Sequence, residues 1–190
     1  FYRLAEHPAV LARLRAEVDA LPGGRAPTFD DLPNLSYTTM VIQETMRLYP
    51  PAYVMSRISA APDRVDGYDI PARAPITMPT YYLHRDARWW PDPERFDPLR
   101  FTPEQVKARP RFAYLPFGGG PRQCIGNQFA LTEAVLLTAL FVQRVDLART
   151  EAGSVALDPL VTLRPAGGPP MTGPPPAIAG AARGPGPIFC

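Results

Sequence analysis

Residues 117 to 130 read FGGGPRQCIGNQFA. One cysteine, Cys124, stands between a Gly/Pro-rich loop and the start of an apolar helical run. Gly118, Gly119, Gly120 and Gly126 clear side chains from both sides of it, so the backbone can come close to a flat, bulky partner and turn its amides toward sulfur. The helix that follows presents its positive end and free N–H groups, which favour the thiolate, the form of cysteine that binds metals. Arg122 adds a fixed positive charge suited to carboxylates.

By itself, a cysteine beside a helix start is a small buried hydrophobe. The surroundings here point elsewhere. A catalytic thiol calls for a Cys-His motif and a phosphate loop for Lys followed by Ser or Thr, and the sequence shows neither. A heme thiolate uses all the features together: iron takes the sulfur, the glycines admit the macrocycle, and the arginine faces a propionate. The segment resembles the heme-binding signature of the cytochrome P450 family, F-x-x-G-x-R-x-C-x-G, through Phe117, Gly120, Arg122, Cys124 and Gly126. The resemblance implies that Cys124 is the proximal ligand to the iron of heme b (iron protoporphyrin IX). It also implies that Arg122 pairs with a propionate and that Phe117 packs near the sulfur.

Upstream, QETMRLYPP places Glu44 and Arg47 three apart on a predicted helix, close enough to pair. An exposed pair of this kind contributes little. The family, however, carries E-x-x-R on the equivalent helix, joined by an arginine from a P-E-R-F segment, and PERF occurs here at Pro93, Glu94, Arg95 and Phe96. The resemblance therefore implies a buried charged cluster of Glu44, Arg47 and Arg95 that fixes the meander beneath the cysteine loop. It also puts Arg57, in VMSRIS, and His84, in YYLHRDARWW, near the heme propionates. The competing readings are a solvated strand arginine and a histidine used for a local hydrogen bond. Tyr53 and Val54 follow Pro51 where the family lines its substrate pocket, with core packing as the alternative.

Around these motifs the pattern is mainly helical. His7-Pro8 opens a helix whose Val10, Leu14, Val18 and Leu21 share a face until Pro22-Gly23-Gly24 stops it. A second helix is predicted from about Asn34 to Tyr49, ended by Pro50-Pro51. Tyr53 to Ser59 and Val65 to Tyr81 read as small β-hairpins around an Asp66-Gly67 turn. Residues 89 to 116 form a proline-punctuated, aromatic-rich meander that needs another element to pack on. From about Asn127 to Val145 the run is apolar nearly all round and predicts a helix buried on most faces. The expected fold is mainly α with small β-hairpins, the C-terminal part of the cytochrome P450 fold.

At 190 residues, with 46% hydrophobic and 20% charged residues, the chain can build one globular core. A net charge of +2, with arginines dispersed along the chain, gives no case for nucleic acid. No stretch reaches the ~18 consecutive apolar residues of a membrane span. Cys124 and Cys190 make no disulfide framework, and with His7 and His84 they match no zinc spacing, so a cytoplasmic, reducing setting is expected. The chain opens on Phe1, and the [AG]-G-x-[DE]-T pattern of the family's distal helix is not found. Residues 1–171 are accordingly expected to be the C-terminal portion of a P450 domain, whose whole length is roughly twice this chain. From Pro165 to Cys190 there are 8 Pro and 6 Gly, and residues 172–190 are expected to be a disordered tail, of the kind a frameshift or divergent terminus produces. The resemblance implies a heme-thiolate monooxygenase acting on a small organic substrate with electrons from an external reductase or ferredoxin. The alternative is a non-catalytic fragment that at most binds heme.

Overall fold

The computed structural model describes residues 1–146, 148–150, 155–169 and 171–173. Helix α1 spans Tyr2–Glu6, and α2, Pro8–Asp19, opens on a proline whose missing N–H costs nothing at that position. Leu11, Leu14 and Val18 face inward from α2, and the turn after it runs through Gly23 and Gly24, both at positive φ. Helix α3, Ser36–Leu48, is preceded by Leu35, whose side chain cannot cap it. The carboxylate of Glu17 on α2 does so instead. It accepts from the Tyr37 amide at 2.6 Å, the Thr38 amide at 2.8 Å and the Thr38 hydroxyl at 2.7 Å. A negative charge thus meets the free N–H groups at the positive end of α3, and the same contact sets how α2 and α3 pack.

Strand β1, Met55–Ile58, pairs antiparallel with β4, Pro75–Met78, and between them β2, Asp63–Val65, pairs with β3, Tyr68–Ile70. The inner turn is the expected one: Asp66 and Gly67 have φ of 50° and 85°, the two left-handed residues that a tight hairpin matched to strand twist requires. Helix α4, Thr80–Leu83, leads into the meander, which carries α5, Pro103–Ala108. After the cysteine loop comes α6, Asn127–Arg144. Strands β5, Ala148–Arg149, and β8, Met171–Thr172, form one further antiparallel pair, and β6, Leu157–Pro159, with β7, Leu163–Pro165, another. The fold is helix-rich with small antiparallel pairs, as expected. Of the segment read as a tail, Thr172 pairs within β8, and 174–190, with Cys190, lies outside the described residues.

Helices α2, α3 and α6 pack on one another around Leu14, Val18, Val41, Leu48, Val135 and Ala139. Here α6 departs from expectation. Its buried residues are Val135, Thr138, Ala139 and Val142, a single stripe at helical spacing, while Phe129 is 75% exposed and Leu137 and Phe141 are also open. An all-round apolar sequence reports how many faces a helix can bury. Helices α2 and α3 cover one of them.

Replacing Glu17 with alanine strips the only side-chain acceptor described at the start of α3. Helix-cap losses of this type cost about 1–2 kcal/mol, and Glu17→Ala is expected to lower urea stability by that amount. Glu17→Gln, which keeps one acceptor oxygen, should recover part of it.

Candidate functional site

The site rests on two buried charges. Glu44 and Arg47 are both fully buried on α3, paired at 2.7 and 2.9 Å. A guanidinium has five N–H donors, and here all are used. Two go to Glu44. The others go to the carbonyls of His84, Pro93 and Arg95 at 2.9, 2.7 and 3.2 Å. Glu44 Oε1 also accepts from the Asp97 amide at 2.8 Å. The meander is therefore sewn to α3 through its backbone, which holds whatever side chains it carries.

This geometry corrects the expected cluster. Arg95 contributes its carbonyl, while its side chain is 66% exposed and pairs with Asp97 at 3.4 Å. The second cation beside Glu44 is Arg100, with Nε 3.6 Å from Glu44 Oε1. The motif P-x-R-F in fact occurs twice, at Pro93–Phe96 and again at Pro98–Phe101, and the literal PERF is the copy whose arginine faces out. Phe96 enters the helical core from that first copy. A 3-10 turn over Pro98–Phe101, capped by Asp97, reverses the chain so that Arg100 points back to α3.

Behind the pair lies an aromatic cluster of Trp90, Phe101 and Tyr114, which orders the meander. Trp90 donates to the Ala113 carbonyl at 3.2 Å, the Tyr114 hydroxyl donates to the Gln43 carbonyl at 2.9 Å, and the Arg109 guanidinium stacks 3.8 Å from the Trp90 ring centre. Burial pushes the Tyr114 phenol upward and holds Arg109 down at about 10.

His84 is the second correction. It is fully buried, with Nδ1 3.3 Å from the Arg47 carbonyl and Nε2 2.8 Å from the Leu115 amide nitrogen. An amide N–H can only donate, so Nε2 carries the lone pair and Nδ1 the proton. Both ring nitrogens are committed to backbone, and neither is left for a propionate. Burial, opposed by the bond to the Arg47 carbonyl, lowers this imidazole from 6.5 to about 4.

The cysteine loop sits on this support. Gly118 has a φ of 73°, and a side chain there would come 3.2 Å from Met55 Sδ at the start of β1. Gly120, at φ 70°, begins a 3-10 turn that ends at Arg122. The Cys124 amide donates to the Phe117 carbonyl at 3.0 Å and closes the loop. Gly126 precedes the first turn of α6, and a Cβ there would stand 3.9 Å from the sulfur. Cys124 and Arg122 are exposed, as is Ile125, while Phe117 is half-buried. Arg57 shares the face of β1 with Met55, which abuts the loop, and its guanidinium is exposed, bonded to the Ser56 carbonyl at 2.8 Å. Tyr53 donates to the carbonyls of Pro159 and Leu160, tying it to the β6–β7 turn, and Val54 is open.

The family model for Cytochrome P450 matches residues 1–163. The chain belongs to the cytochrome P450 family. It is 41% identical over 165 residues, 87% of its length, to the "Putative cytochrome P450 132" of Mycobacterium tuberculosis, covering 36% of that protein. It is 44% identical over 144 residues to the cyclooctat-9-en-7-ol 5-monooxygenase of Streptomyces melanosporofaciens, covering 76% of this chain and 31% of that one. Against the lithocholate 6-beta-hydroxylase of Mesocricetus auratus the identity is 42% over 151 residues, 79% of this chain and 30% of the hydroxylase. The chain thus spans about a third of the length of these P450 relatives.

The residues present fit the family's heme. Among the described residues no group of three or more His, Cys, Asp or Glu could hold a bare metal ion. The exposed sulfur, the bare glycines around it, the apolar Ile125 and Phe129, and the exposed cations Arg122 and Arg57 suit a flat apolar macrocycle with anionic arms. Among the described residues no helix is long and apolar enough to cross a membrane.

Breaking the buried pair strands a charge without solvent. Glu44→Ala or Arg47→Ala is expected to cost ~3–5 kcal/mol, whereas Arg95→Ala should stay within about 0.5 kcal/mol, as for an exposed side chain. Urea unfolding of the three variants would separate them, and equal losses would contradict the placement of Arg95.

The depressed His84 gives a pH dependence of definite sign. As pH falls, the unfolded chain takes up this proton near 6.5 and the folded chain only near 4, so the contribution of His84 is complete above 6.5 and is lost between 6.5 and 4. The loss across that window is roughly 3 kcal/mol. Stability measured by urea from pH 7.5 to 4 should show this slope, and His84→Gln, less stable at neutral pH, should flatten it.

Proposed function

We propose that this chain forms the cofactor-holding part of a heme-thiolate monooxygenase, with Cys124 as the iron ligand. The observation that carries the reading is the open sulfur at the edge of a glycine loop whose base is locked to α3. The match to P450 relatives named monooxygenases and hydroxylases supports the reaction class. Such a group, when bound, supplies activation of O2 and insertion of one oxygen into an organic molecule, with the electron-rich sulfur favouring O–O cleavage.

In this proposal each residue has a limited task. Cys124, exposed just before the start of α6, would bind the iron. Arg122 and Arg57, both exposed, would pair with the anionic propionate arms. Phe117, half-buried beside the loop, limits water at the sulfur, and Gly120 and Gly126 leave the approach unobstructed. Glu44, Arg47 and Arg100 touch nothing that reacts. They hold the meander that carries the loop. Tyr53 and Val54, after the Pro50-Pro51 break, are proposed to contact a small organic substrate, and the electrons come from a separate reductase or ferredoxin.

The test is ligation. The chain loaded with heme, reduced and exposed to carbon monoxide, should show the red-shifted Soret band of a thiolate complex, and Cys124→Ser should abolish it while heme is still taken up. An unchanged band in that variant would assign the ligand elsewhere.

A further inference from the structure

We propose that His84 is a positioning residue for the cysteine loop, transmitting the location of α3 to the sulfur through the backbone at Leu115. The inference rests on the heme-thiolate reading of Cys124 and adds a residue to it. Three connected observations carry it.

First, His84 and Arg47 grip each other. The Arg47 guanidinium donates to the His84 carbonyl at 2.9 Å while the His84 ring lies 3.3 Å from the Arg47 carbonyl. The imidazole is therefore anchored at α3 by a ring of two bonds. Second, its opposite edge reaches the segment that enters the loop, where Nε2 accepts from the Leu115 amide at 2.8 Å. Third, Leu115 is the foot of the loop itself. Its carbonyl accepts from the Gly118 amide at 3.2 Å, and the Phe117 carbonyl, inside that turn, accepts from the Cys124 amide at 3.0 Å. The Leu115 side chain also packs against Gly119, where an added Cβ would meet it at 3.3 Å.

A continuous path thus runs from the buried pair through one imidazole to the cysteine. Beyond Gly119 the loop is solvent-exposed as far as Ile125, so its position is imposed at its base. The imidazole suits this use because it is rigid. It spans donor and acceptor across a ring and packs beside Tyr114 and Trp90 at centroid distances of 5.1 and 6.5 Å. The two sides of the ring can be addressed separately by substitution. Glutamine places an acceptor oxygen near the position of Nε2 and retains the loop-facing bond. Asparagine reaches only the Nδ1 side, and leucine removes both.

The experiment uses the heme-loaded chain as expressed from its natural reading frame, at a temperature where each variant is folded by circular dichroism. Val18→Ala serves as a control that loses core packing on α2 without removing any hydrogen bond of the path. Expected is a thiolate band, relative to total heme, that is kept in His84→Gln and Val18→Ala and falls several-fold in His84→Asn and His84→Leu. Retention of the wild-type ratio in the last two would overturn the proposal. Hydrogen exchange provides the second measurement and needs no variant. In the wild type, the amides of Leu115 and Cys124 should open together, each slowed by about tenfold or more by its bond. A Leu115 amide that exchanges freely, or independently of Cys124, would also overturn the proposal. A wild-type chain lacking the thiolate band would defeat the heme reading, and the exchange data would still decide whether His84 holds the loop.

Discussion

The architecture depends on one constraint: a glutamate and an arginine on α3 that no solvent reaches. Two full charges in an interior are tolerated when every donor and acceptor is matched, and the Arg47 guanidinium meets that condition with the Glu44 carboxylate and three main-chain carbonyls. Those carbonyls belong to His84, Pro93 and Arg95, residues far from α3 along the chain. The pair is thus stable only when the meander is in place. In return, the meander, poor in regular secondary structure, acquires a fixed course. An apolar pair at these positions would pack as well but could not specify where backbone carbonyls lie.

From that fixed course the rest follows in order. The Trp90, Phe101 and Tyr114 cluster fills the space behind the pair, and its hydrogen bonds to the Ala113 and Gln43 carbonyls keep the rings in one arrangement. His84 extends the same polar framework to Leu115. The glycine loop then projects from a firm base, with Met55 of β1 pressed against Gly118. Firm support beneath an open surface is what the role proposed for Cys124 requires, since a site residue works only when the groups around it hold it in place.

The faces left open are consistent with this division of labour. Cys124, Ile125 and Phe129 are exposed on the loop and the first turn of α6, and Leu137 and Phe141 continue the open apolar surface along the helix. Helices α2 and α3 cover one stripe of α6 and leave the other apolar faces of its sequence open, while the matched segment accounts for about a third of the length of the P450 relatives.

Much of this was legible in the sequence. Local chemistry determined the tight turn at Asp66-Gly67, the proline start of α2 and the glycine loop around Cys124, because each depends on the backbone freedom of residues close together in the chain. The five matching positions from Phe117 to Gly126 determined the family in the same way. The tertiary structure decided what depends on distant partners. It chose Arg100 over Arg95 for Glu44, because a 3-10 turn at Pro98 reverses the chain, and two copies of P-x-R-F look alike until that turn is formed. It moved His84 from a propionate to the backbone of Leu115, because a histidine in sequence does not disclose which amides will face its two nitrogens. It also left α6 buried on one stripe instead of all round. Periodicity states which faces are apolar, and only packing decides which of them find a partner.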